Sequence, residues 1–178
     1  NPVSLGRAKG DIAFEDVHFA YNTRRETLKG IRFSVTAGQR VAVVGPTGAG
    51  KTTLISLIVR FYDPNAGRVL IDGIDVYALG DERRADFRSQ YLGFVFQQHY
   101  LMPYLNAIEN VMLPLAALRI ATIEKRRRAL AVLEKVGLGD KASRLPSQLS
   151  GGEQGRLAIA RALVNDPPLV LADEPTGT

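Results

Sequence analysis

Gly45-Pro46-Thr47-Gly48-Ala49-Gly50-Lys51-Thr52 is the most restrictive pattern in the chain. It fits the phosphate-binding loop G-x-x-x-x-G-K-[ST], and the apolar run Val41-Ala42-Val43-Val44 before it reads as the strand that such a loop follows. The glycines let backbone N–H groups turn inward around phosphates, Lys51 can reach the β- and γ-phosphates, and the Thr52 hydroxyl is placed to meet Mg²⁺. Thr53 to Arg60 is expected to continue as a helix whose N-terminus faces the anion. The pattern predicts an α/β core that holds a nucleoside triphosphate, with residues 45–53 around its phosphates.

The remaining composition narrows the class. With 178 residues, 46% hydrophobic and 23% charged, the chain has ordinary globular composition, which excludes disorder or a fibre as a whole-chain reading. It has no cysteine, so disulfides, thiolate nucleophiles and Cys-based metal sites are excluded. The most apolar region, Tyr100 to Ile123, is interrupted by Asn106, Glu109, Asn110, Pro114 and Arg119 and cannot cross a bilayer as a helix. No signal-peptide pattern opens the sequence. The net charge of +5 is spread along the chain, with one short cluster at Arg126-Arg127-Arg128 that reads as a solvated helix face rather than a nucleic-acid site.

Before the loop, Ile12, Phe14, Val17 and Phe19 alternate imperfectly with Asp16 and His18, and Ile31, Phe33 and Val35 alternate cleanly. Both segments are expected as half-buried antiparallel strands. After the loop, Arg68-Val69-Leu70-Ile71 meets the turn signal Asp72-Gly73 and returns through Ile74 to Val76 as a hairpin. Leu92 to Phe96 is expected as a short buried strand. From His99 to Leu149 the spacing turns helical, with Leu105, Ile108, Val111 and Met112 on one face and Ile123, Leu130, Leu133 and Val136 on another. Thr122 is the expected N-cap there, Glu124 falls in the first turn, and Gly137 is the expected stop. A third helix is expected from Ser150 to about Val164, then a buried strand, Leu169-Val170-Leu171-Ala172, ending at Asp173-Glu174-Pro175.

A second motif singles out one branch of the phosphate-loop proteins. Leu149-Ser150-Gly151-Gly152-Glu153-Gln154 resembles the signature of ATP-binding-cassette (ABC) ATPases, and the resemblance covers essentially the whole chain. A plainer reading makes Ser150 and Glu153 an S-x-x-E capping box that starts a helix. Both readings fit, because a helix start with a serine and two glycines presents free N–H groups to a γ-phosphate. The resemblance implies that Ser150, Gly151, Gly152 and Glu153 meet ATP held by a second such domain. It implies further that the strand ending at Asp173 and Glu174 is the Walker B strand, with Asp173 in the Mg²⁺ shell and Glu174 as general base. Gln97 resembles the Q-loop glutamine that contacts Mg²⁺ and water, and Tyr21 resembles the aromatic residue that stacks on adenine. Without the resemblance, Asp173 and Glu174 would simply leave the core for solvent, Gln97 would be a loop residue and Tyr21 a packing residue. His18 and His99 read as structural or surface residues.

The resemblance therefore implies an ABC-type nucleotide-binding domain: a P-loop NTPase core, an antiparallel β subdomain and an inserted helical signature subdomain. The expected division is 1–98 with 150–178 as β subdomain plus core, and 99–149 as the helical subdomain. Expected catalytic groups are Lys51, Gln97 and Glu174, expected Mg²⁺ ligands are Thr52, Gln97 and Asp173, and the expected partners are a transmembrane subunit or domain and a second nucleotide-binding domain, without nucleic acid. The work implied is ATP hydrolysis coupled to transport at the cytoplasmic face of a membrane. A soluble ATPase acting on ribosomes or DNA, or a nucleotide-binding module without hydrolysis, would use the same motifs.

The sequence departs from the family pattern in three places. It stops at Thr178, before the family's D-loop and switch histidine, so a C-terminally incomplete domain with weak activity is expected. A strand missing between the P-loop and Walker B strands would leave both without their shared neighbour. Asn1 to about Leu79 reads like exporter ATPase domains, whereas 94–109 and 145–178 read like lipoprotein-releasing and macrolide-exporter subunits, as in a mosaic. Gly155 stands inside the signature helix at about 1 kcal/mol of helix propensity relative to alanine.

Overall fold

The computed structural model describes residues 9–22, 26–80 and 87–172. They fall into two compact units, Asn1–Arg88 and Ser89–Thr178. The division expected from the resemblance, which joins 1–98 to 150–178, crosses that boundary.

The first unit is built on a four-stranded antiparallel sheet. Strands β1 (Ile12–Phe19), β2 (Leu28–Val35), β3 (Ala66–Ile71) and β4 (Ile74–Asp75) lie in the order β2-β1-β3-β4. The imperfect alternation of β1 has a physical cause: Asp16 sits at φ 53°, and the pairing to β2 shifts register between Phe14 and Val17. The shift keeps Ile12, Phe14, Val17 and Phe19 all buried. Phe14 and Phe33 stack across the β1–β2 pair with centroids 4.6 Å apart. Asp72 and Gly73, both at positive φ, form the predicted tight turn between β3 and β4. The Asp72 carboxylate also accepts from the backbone N–H groups of Lys9, Gly10 and Asp11, each at 2.9 Å.

Helix α1 (Lys51–Ile58) follows the glycine-rich loop and buries Thr53, Leu57 and Ile58. The expected strand at Val41–Val44 is not formed, and Val44 is 87% exposed. Its apolar run is a strand only when a neighbour accepts its ladder, and no described strand pairs with it.

The second unit holds β5 (Leu92–Val95), α2 (Ala107–Met112), α3 (Thr122–Lys135), α4 (Gly151–Leu163) and β6 (Leu169–Ala172). Strands β5 and β6 pair in parallel. The expectation of a buried β6 is met on one face only: its residues alternate between partly buried and exposed, as in a strand whose successive side chains point to opposite faces. Ala107, Ile108, Val111, Leu115, Ala129, Leu133, Leu138, Leu149, Leu157, Ala160 and Val164 form one buried cluster.

Two boundaries of α3 explain the helical spacing. Its N-cap is Ala121, extended and without a side-chain bond, so Thr122 is the first helical residue rather than the cap. Ile123, expected on the apolar face, is 77% exposed because it lies in the first turn, ahead of the buried positions Ala129 and Leu133. At the other end Gly137 sits at φ 71°, and the N–H groups of Gly137 and Leu138 donate to Glu134 and Leu133. This is a Schellman stop, with Leu138 and Leu133 both buried, as the glycine predicted. Arg127 and Arg128 both pair with Glu124, whose carboxyl they pull down to about 2, so two of the three clustered arginines are paired on the helix face.

Candidate nucleotide-binding site

The first unit carries the phosphate loop. Gly50, at φ 93°, ends it and serves as the N-cap of α1. An added Cβ there would lie 2.8 Å from Cδ2 of buried Leu28, so both the left-handed backbone and the space require glycine. Having no side chain, Gly50 leaves the first N–H groups of α1 uncapped, and no acidic residue stands in the first turn. Such a helix start attracts an anion. Lys51 Nζ donates to the carbonyls of Gly45 (2.7 Å) and Pro46 (2.9 Å), which arches the side chain over Thr47, Gly48 and Ala49. Ala49 N–H closes the loop on the Pro46 carbonyl at 3.1 Å. Thr52 is exposed in the first turn, which leaves its hydroxyl oxygen open to a hard cation.

Tyr21 is placed beside the same helix. Its hydroxyl and that of Thr53 are 3.0 Å apart, and the residue is 54% exposed. Phe19 and Tyr62 meet it edge-on, with centroids at 4.9 and 5.1 Å. The motifs did not single out Tyr62 or Asn65. The only sequence signal was the aromatic pair Phe61-Tyr62 just beyond the helix.

The second unit carries the signature. Ser150 is the N-cap of α4: its hydroxyl accepts from Glu153 N–H at 3.4 Å, and its own N–H donates to Glu153 Oε2 at 2.8 Å. The capping box leaves the N–H groups of exposed Gly151 and Gly152 outside it. Glu153 also pairs with Lys141, and that bond first, then the Ser150 amide, holds its carboxyl down to about 2. Gln154 donates to the carbonyls of Pro146 and Leu149, fixing the approach to the helix.

Gln97 lies in the exposed bend after β5. The chain beyond it is bound to α4, because Arg161 donates to the carbonyls of His99 and Tyr100, both at 2.6 Å. Burial lowers the Arg161 pKa. A Cβ on Gly155 would meet the His99 ring at 3.5 Å, an ordinary contact, so space does not demand glycine there. The buried Asn110 side chain shapes the same segment, accepting from Met102 N–H and donating to the Met102, Leu105 and Asn106 carbonyls. Asp173 and Glu174 lie outside the described residues.

A family model described as "ABC transporter" matches residues 28–177. The chain belongs to the ABC transporter family. An uncharacterized ABC transporter ATP-binding protein of Thermotoga maritima is 49% identical over 152 residues, covering 85% of this chain and 65% of that protein. The lipoprotein-releasing system ATP-binding protein LolD of Pseudomonas fluorescens is 48% identical over 172 residues, covering 95% of this chain and 76% of LolD. A dimeric post-hydrolysis structure of the ATP-binding cassette MJ0796, bound to ADP and Pi, superposes with TM-score 0.79 at 40% identity, covering 93% of this chain and 74% of that one. The ABC fold inferred from the two motifs is thus the fold observed, and the chain spans about two thirds to three quarters of these relatives.

Proposed function

We propose that this chain is the ATP-binding and ATP-hydrolysing part of an ABC transporter. The observation that carries the reading is the uncapped start of α1, arched over by Lys51 and flanked by a tyrosine fixed to Thr53. Residues 45–53 hold the triphosphate, and Tyr21 offers its exposed face to adenine. Thr52, Gln97 and Asp173 would hold Mg²⁺, which would neutralise charge on the phosphates of the bound nucleotide. Glu174 takes the proton from the attacking water.

Hydrolysis in this reading needs two copies, each phosphate loop facing the Ser150–Glu153 segment of the other. The dimeric MJ0796 cassette, bound to ADP and Pi, supports the pairing of two copies. Gly151 and Gly152 supply the N–H groups that the capping box leaves over. The membrane-spanning partner docks near Gln97 and the helical region, where Tyr100, Met102 and Tyr104 are exposed. No helix among the described residues is long and apolar enough to cross a membrane. In this reading a membrane-spanning subunit or domain holds the chain at the cytoplasmic face. Nucleic acid is not a partner in this reading; of the basic cluster, Arg127 and Arg128 pair with Glu124.

The test is ATP binding and steady-state hydrolysis by the chain beside Glu174→Gln. Binding by both is expected, with slow turnover confined to the unsubstituted chain. Failure to bind ATP would overturn the reading, and binding without turnover in either would contradict its hydrolytic part.

A further inference from the structure

Tyr62 has no role in the motifs that identify the family, yet the structure builds it into the candidate nucleobase site. It lies after α1, where Arg60 adopts φ 54° and turns the chain back. The Arg60 guanidinium holds that turn by donating to the Val76 and Leu79 carbonyls. Three residues beyond Tyr62, Asn65 staples the segment to the end of β1. Its N–H donates to the His18 carbonyl at 2.8 Å, and its Oδ1 accepts from Ala20 N–H at 2.6 Å. The staple sets Tyr62 against Tyr21 at 5.1 Å and 88°, and against Phe19 at 5.6 Å. Tyr62 nevertheless stays 46% exposed, more than burial of a core ring would leave.

A ring that must stack on a flat ligand loses affinity if it has to be ordered on binding. Tyr21 sits beyond the end of a strand, half in water, and would be free to change rotamer. Here it is restrained at its hydroxyl by Thr53 and at its ring by Phe19 and Tyr62. We propose that Tyr62 is a positioning residue for nucleotide binding: its ring, stapled by Asn65, holds the Tyr21 ring at the angle that receives a purine base. This rests on the proposed role of Tyr21 as the adenine-stacking residue. The positioning acts on the base alone, because Tyr62 has no part in the phosphate loop.

The experiment is equilibrium binding of ATP and of inorganic tripolyphosphate to the full chain, with Tyr21→Leu, Tyr62→Leu and Tyr62→Phe. Tyr62→Leu is expected to weaken ATP about fivefold, the scale of one aromatic pair, and to leave tripolyphosphate unchanged. Tyr62→Phe is expected to bind ATP as the unsubstituted chain does, since the ring and not the hydroxyl does the positioning. Asn65→Ala, which keeps both rings and removes the staple, must give the same split between the two ligands if Tyr62→Leu does not fold. Unchanged ATP affinity in Tyr62→Leu, or equal loss of both ligands, would overturn the proposal while leaving the nucleotide site intact. No effect of Tyr21→Leu on ATP would overturn the adenine-stacking role and the proposal together. Absence of ATP binding in the unsubstituted chain would overturn the proposed function itself.

Discussion

Helix α1 starts at a left-handed glycine with neither a side-chain cap nor an acid in its first turn, whereas α4 starts at a serine inside a closed capping box with Glu153. Both starts carry phosphate motifs, but their own side chains satisfy them to different degrees. The N–H groups of α1 are left to the loop and to a ligand. In α4 the box occupies the Ser150 and Glu153 N–H groups and leaves only those of Gly151 and Gly152. In the proposed function an uncapped start suits the site that binds nucleotide first, because an anion gains there what a side chain would otherwise supply. A capped start is stable before any ligand arrives, which suits a surface offered to nucleotide already held elsewhere.

The largest break in this contrast is expected at Gly50→Ala. The new Cβ falls 2.8 Å from Leu28 at a φ that side chains avoid, at a cost of about 1–3 kcal/mol. Denaturant unfolding should show the loss, with weaker ATP binding beside it; a variant as stable as the unsubstituted chain would remove the strain argument. Ser150→Ala removes a cap that α1 never had, and about 1 kcal/mol of stability should go with it. ATP affinity of the single chain should stay as it was, and a loss of affinity there would contradict the division of roles.

The smallest effect is a pH dependence at the capped start of α4. Lys141 and the Ser150 amide hold Glu153 at about 2, below its ordinary 4.5. A lowered folded pKa means that the stabilisation is complete above about 4.5 and fades as pH falls through 2. The stability gap between the unsubstituted chain and Glu153→Gln should therefore close across that interval. A gap that stays constant would show that the Lys141 pair contributes nothing.

Most local chemistry was legible in the sequence, although the cap expected at Thr122 fell on Ala121; long-range pairing was less so. The capping box at Ser150, the stop at Gly137 and the Asp72-Gly73 turn each depend on a few adjacent residues, and each formed where its residues predicted. Val41–Val44 is apolar enough for a strand, but a strand also needs a neighbour, which its own composition does not report. Ile123 obeyed the helical spacing yet is exposed, because periodicity says which residues share a face and not where along the helix packing begins. The phosphate loop and Tyr21 were found by motif and lie against one helix, as Thr53 shows. Tyr62 was missed because its link to Tyr21 runs through Asn65 and the end of β1, a contact that spacing does not encode.

The most direct measurement is a calorimetric titration of ATP into the chain and into Lys51→Ala. Saturable binding is predicted for the chain, weakened about tenfold or more in the variant, the scale of a lost charge-assisted hydrogen bond. Equal affinities would mean that the start of α1 does not hold the phosphates, and would contradict the account at its centre.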